Sequence, residues 1–134
     1  MHLLLDENLS PRWERPLAEV FPEHRFSSVS KVGFTGTDDV DLFPLIADGG
    51  WGGIITGDIA QMHRPLERDA LRAAGLVWVG IEARKVAGLA GPRLQLATLV
   101  AGLALIGTSW QQQRAYQLRH IGHSLSARVE DFAL

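Results

Sequence analysis

Three short apolar runs, Leu3-Leu4-Leu5, Gly52-Gly53-Ile54-Ile55-Thr56 and Leu76-Val77-Trp78-Val79-Gly80-Ile81, punctuate the first 81 residues, with helix-like stretches between them. Runs this short, bounded by glycine or polar residues, read as strands buried on both faces. Strands alternating with helices imply a mostly parallel sheet between two helical layers, a three-layer α/β/α architecture. Two of the runs pass directly into acid, at Asp6-Glu7 and at Asp58. The carboxyl ends of strands are where open α/β sheets bind ligands. Packing does not require carboxylates there, because a buried charge is costly unless something positive compensates it. A divalent metal is the simplest compensator.

At 134 residues, the chain is read as a single domain, 1–134, with an acidic core over 1–81 and an apolar helix plus a C-terminal antiparallel hairpin over 82–134. Apolar residues make up 46% and charged residues 21%, which is the balance of a folded soluble domain rather than a disordered one. There is no cysteine, which excludes disulfides and thiolate metal sites and suits a cytoplasmic location. Acid by the sixth residue argues against a signal peptide. The uncharged stretch from Leu94 to Ile106 is closed off by Arg93 and Gly107, well short of the roughly 20 residues a bilayer needs. It reads as a buried core helix, with no membrane partner.

Charge is unevenly divided. Residues 1 to 60 hold ten acids against four bases, and residues 61 to 134 hold five acids against nine bases. An acidic first half with a basic remainder suits a metal centre flanked by phosphate-contacting arginines, although solvated helix faces explain the later bases equally well.

Ser10-Pro11 reads as the cap and first position of a helix over Trp13, Leu17, Val20 and Phe21, with Pro16 requiring either a kink or a late start. A short strand is expected at Arg25 to Val29. After the glycine-punctuated loop Gly33-Phe34-Thr35-Gly36, Thr37 or Asp38 caps a helix running to about Ala47. Acid in a first turn complements the helix dipole, a purely structural reason for Asp38 and Asp39. Pro65 opens a further helix that Gly75 closes, another covers 92–106, and Tyr116 to Ile121 is expected to pair with Ser124 to Val129 as the hairpin.

In such a fold Asp6, Asp58 and one of Asp38, Asp39 and Asp41 can converge at one sheet edge. Oxygen ligands of this kind, with waters left in place, are what Mg²⁺ or Mn²⁺ accepts. In phosphodiester cleavage such a metal activates a water and neutralises charge on the departing oxygen.

The opening LLLDENLSP, the G-x-x-G-x-D-D-x-D helix start and the hydrophobic-hydrophobic-T-x-D segment together resemble the PIN-like domains related to VapC-type toxins and to Mut7-C-like proteins. The resemblance covers roughly residues 1 to 81. It implies a Mg²⁺- or Mn²⁺-dependent ribonuclease, the toxin of a toxin–antitoxin pair, with RNA as substrate and a protein antitoxin as partner. Asp6 then matches the first acidic ligand, Asp38, Asp39 or Asp41 the second, and Asp58 the third, with Asp6, Asp39 and Asp58 as the candidate catalytic set. Arg12, His63 and Arg64 are the candidates for contacting the RNA backbone. The departure is at Ala60, where the family commonly carries another aspartate, and at Gln61, which replaces an aromatic. Glu7 is a compensating candidate, although strand alternation turns it away from Asp6.

Other readings compete. Loss of the acid at position 60 supports a catalytically impaired module kept for binding. A phosphoacceptor receiver domain would also place acids after its first and third strands, but it needs a hydroxyl after the fourth and a lysine after the fifth, and neither is present. His120-x-x-His123 lacks a third ligand and reads as a solvated turn. Trp13 and Trp78 read as core, while Trp51 and Trp110, beside glycines, are expected to face RNA or a protein partner. The C-terminal third is a candidate surface for the antitoxin or a homodimer.

Overall fold

A computed structural model describes residues 1–82 and 88–121. Five strands form one sheet: β1 (His2–Leu5), β2 (Arg25–Ser28), β3 (Gly53–Thr56), β4 (Val77–Ile81) and β5 (Ala115–Leu118). Their spatial order is β2-β1-β3-β4-β5 and every pairing is parallel. The chain builds outward from β1 in one direction and then in the other, so a topological switch point falls between β1 and β3.

Alternation along β1 explains the layers. Leu3 and Leu5 face α1 (Glu14–Val20) and α5 (Ala90–Ile106), in a core with Leu17, Ile55, Val79, Leu99 and Leu103. Leu4 points the other way, towards α3 (Asp39–Asp48) and α4 (Pro65–Ala73), in a second core with Phe43, Ile46, Ile54, Leu71 and Trp78. A one-turn helix, α2 (Val29–Val32), lies between β2 and the loop to α3. The three-layer reading therefore holds, because each central strand is apolar on both faces and both faces are covered.

Pro16 is accommodated by a late start. A 3₁₀ turn occupies Pro11–Trp13 and α1 begins at Glu14, placing the proline in the first turn, where its missing N–H has no intrahelical partner to lose.

The expected C-terminal antiparallel hairpin is not seen among the described residues. Tyr116 to Leu118 lies within β5, which pairs parallel to β4 through Trp78–Ala115 and Ile81–Leu118, and the proposed second arm, 124–129, falls outside the described residues. Helix α5 lies over the sheet on its Thr98, Leu99, Leu103 and Ile106 face, while Leu105 is 89% exposed, so only a stripe of it is core. Among the described residues, no helix is long and apolar enough to cross a membrane.

Trp51 and Trp110 do not stand free. Trp51 packs against Phe34 and His2, and Trp110 against His24 and Tyr116, each half-buried. Glycine beside them permits close packing rather than display, since a Cβ at Gly49 would sit 2.1 Å from the Trp51 ring.

Candidate active site at the carboxyl edge of the sheet

Asp6 continues the β1 ladder by donating its N–H to the Ile55 carbonyl at 2.9 Å, so its side chain keeps the Leu4 phase and points towards the layer of α3 and α4. It is only 5% exposed. Thr56, in the same phase on β3, donates its hydroxyl to Asp6 Oδ2 at 2.6 Å, and the Asn8 amide donates to the same oxygen at 2.9 Å. Asp6 Oδ1 takes the Glu7 backbone N–H at 2.7 Å. Burial pushes the Asp6 carboxyl up from its ordinary range, as do the neighbouring charges of Asp39 and Glu7, and the Thr56 and Glu7 hydrogen bonds oppose the rise.

Helices α3 and α4 both begin at this edge. Asp38 occupies the cap position of α3 with its carbonyl bonded to the Leu42 N–H at 2.8 Å, and its carboxylate makes no capping bond. Asp39, one residue inside, is half-buried and accepts the Gln61 side-chain N–H at 2.8 Å. Asp41 is exposed. Of the three aspartates, Asp39 is the one brought towards Asp6, because its charge is felt at that carboxyl.

Glu67 was not singled out from sequence. It lies in the first turn of α4, where acid has an ordinary structural explanation, yet that turn opens on the same edge as Asp39. Burial raises its carboxyl and Asp39 adds to the rise, while Arg64 works against it. The available signal was topological: in a parallel sheet, the helices following strands start at the edge where the strands end.

Asp58 is held differently. Its Oδ1 caps the 3₁₀ turn Ile59–His63 by accepting the Ala60 N–H at 3.1 Å, and its Oδ2 pairs with Arg64 at 2.9 Å. Arg64 also contacts Glu67 at 3.1 Å. It therefore faces the site's own carboxylates, with a half-exposed side chain. His63 and Arg12 are exposed, on the segments that follow β3 and β1. Glu7 turns outward, where it accepts the Gly36 N–H at 3.2 Å and anchors the loop before α3.

A family model of the PIN like domain matches residues 1–83. The chain belongs to the PIN-like domain family. The match spans all four acids of this edge and stops after β4, and it does not single out the VapC-type branch. No curated protein and no solved structure matches the chain. Membership in the PIN-like family displaces the receiver reading, whose strand pattern is similar but whose chemistry is missing: β4 ends Gly80-Ile81, and Arg119-His120 follow β5.

Gln61 gives the PIN-like site here a specific support. Where the resemblance leads one to expect an aromatic, the 1%-exposed Gln61 side chain donates to Asp39 and accepts the Trp78 indole N–H at 2.9 Å. Among the described residues, no three His, Asp or Glu side chains lie close enough together to enclose one metal ion. The donor set still suits Mg²⁺ or Mn²⁺, which commonly use one or two carboxylates, several waters and substrate phosphates rather than a closed protein cage.

Proposed function

We propose that this PIN-like domain is a Mg²⁺- or Mn²⁺-dependent endoribonuclease and the toxin of a toxin–antitoxin pair. The observation that carries the cleavage reading is the buried Asp6 carboxylate beside Asp39, two acidic groups oriented by surrounding donors and, among the described residues, without a basic partner of their own. Asp6 and Asp39 would hold the metal, with Glu67 and Asp58 at its margin. A bound divalent ion supplies an activated water and stabilises charge on the departing oxygen. Thr56, Asn8 and the Glu7 N–H fix the Asp6 carboxylate, leaving little reorganisation for the reacting state. Gln61 fixes Asp39 in the same way. Arg64 screens Asp58 and Glu67 until a phosphate competes for its guanidinium or a cation for the two carboxylates. Arg12 and His63, both exposed, would contact the RNA backbone in this reading.

The antitoxin surface belongs to residues 82–134, where Leu89 and Leu105 are exposed on and beside α5. Expressing the full chain in a bacterial host tests the toxin role. Growth arrest by the wild type but not by Asp6→Asn supports it, and unimpaired growth with both, despite soluble protein, contradicts it.

A second reading is a PIN-like module that binds RNA without cutting it. Ala60 favours it, because the family's further carboxylate is missing at the point where Arg64 instead neutralises Asp58. Binding of single-stranded RNA without Mn²⁺-dependent cleavage would select this reading.

A further inference from the structure

We propose that Arg68, Arg72 and Arg114 form a phosphodiester-binding pocket that takes an RNA strand away from the acidic edge, an inference that rests on RNA being the ligand of this domain. The three arginines line one cavity of about 270 Å³ between α4 and the start of β5. Met62 and Trp78 give it an apolar wall, and the Trp78 indole N–H is already committed to Gln61. Among the described residues, no carboxylate lines the cavity. Arg72 pairs with the exposed Asp69 at 3.0 Å, whereas among the described residues Arg68 and Arg114 have no ion-pair partner.

The placement continues from the candidate active site. Arg68 and Arg72, four residues apart, share one side of α4, and Arg64 sits at its N-cap beside the carboxylates. Arg72 lies about 6 Å further along the helix from the carboxylates than Arg68. Positive charge repeated at regular steps suits a polyanion, and guanidinium forks match phosphate oxygens in pairs. The far end is fixed in place: Gln113, with a left-handed φ of 58°, donates its amide to the Arg72 carbonyl at 3.3 Å and holds the lead-in to β5 against the end of α4. Arg114 follows immediately.

The test is binding of a labelled oligouridylate to the full chain by fluorescence anisotropy, in EDTA so that metal-dependent cleavage cannot intervene. For Arg68→Ala/Arg114→Ala, affinity falls and the slope of log affinity against log salt becomes shallower by about 1.4, the loss of two single-strand phosphate contacts. Arg68→Lys/Arg114→Lys keeps most of the slope, and the melting temperatures of both variants match the wild type. Wild-type binding with an unchanged slope in the alanine variant overturns the pocket alone and leaves the cleavage reading standing. No wild-type binding overturns the pocket together with the RNA reading. Displacement of the label by uridine monophosphate at the same nucleotide concentration assigns the cavity to a free nucleotide, and displacement by polyglutamate as effective as by unlabelled RNA assigns it to an acidic peptide. Either result overturns the strand path.

Discussion

Gln61 donates its side-chain N–H to the Asp39 carboxylate at 2.8 Å, and it does so from a fully buried position on the turn that follows β3. Its other end accepts the Trp78 indole N–H at 2.9 Å, so a core tryptophan and a site carboxylate are held by one amide. Replacing it therefore acts on both. Gln61→Leu leaves the Trp78 N–H buried without an acceptor, at a cost of about 1–3 kcal/mol in urea unfolding. The same variant frees Asp39, and Mn²⁺ should raise its melting temperature less than that of the wild type. Unchanged stability would mean that Gln61 does not make this bridge.

Gly80 reaches the site through the same tryptophan. A Cβ at this position would fall 2.0 Å from the buried Trp78 ring. Gly80→Ala should cost about 1–3 kcal/mol as overpacking. It should also weaken the Mn²⁺-induced rise in melting temperature, although residue 80 bears no ligand. A stability loss with an intact metal response would show that the Trp78 and Gln61 link does not position Asp39.

Stability should depend on pH through Asp6. Burial holds its folded carboxyl above the ordinary value of 3.8, so the unfolded chain releases this proton first as pH rises. The group is least unfavourable below 3.8, and stability is lost as pH climbs from there to the raised folded value, then stays level. The stability of the wild type relative to Asp6→Asn should decline over that window, as read by melting at a series of pH values without metal. Mn²⁺ at neutral pH should recover part of the loss. A difference that is flat with pH would contradict a raised Asp6.

At the proposed metal site, Arg64 and a divalent ion would compete for the same carboxylates. Its guanidinium lies 2.9 Å from Asp58 and 3.1 Å from Glu67. Arg64→Ala should therefore increase the apparent affinity for Mn²⁺, measured by calorimetric titration, while changing thermal stability little, as expected for a half-exposed pair. Lower affinity in the variant would mean that Asp58 and Glu67 need Arg64 in order to stay at the edge.

The strands and the layering were legible because apolar runs such as Leu3-Leu4-Leu5 and Val77 to Ile81 have few alternatives to a twice-buried strand. Asp6 was legible for the same reason, since a charge directly following such a run must sit at the sheet edge. Asp39 was legible as a member of the candidate catalytic set, but the ligand register among Asp38, Asp39 and Asp41 stayed open, because the contact that holds Asp39 depends on Gln61 reaching across from another loop. Glu67 was hidden behind an adequate local explanation, the preference of first turns for acid. The parallel pairing of Tyr116 to Leu118 with β4 was not legible, because a strand's composition carries no mark of which neighbour it takes, and the second arm of the expected hairpin lies outside the described residues.

Cleavage of single-stranded RNA by the purified chain with Mn²⁺, beside Asp6→Asn and Asp39→Asn, tests the central claim most directly. The expected result is Mn²⁺-dependent endonucleolytic cleavage by the wild type, abolished by EDTA and reduced at least a hundredfold in either variant, about 2.7 kcal/mol of lost transition-state stabilisation. Equal cleavage by all three proteins, or none by a folded wild type that binds the RNA, would contradict it.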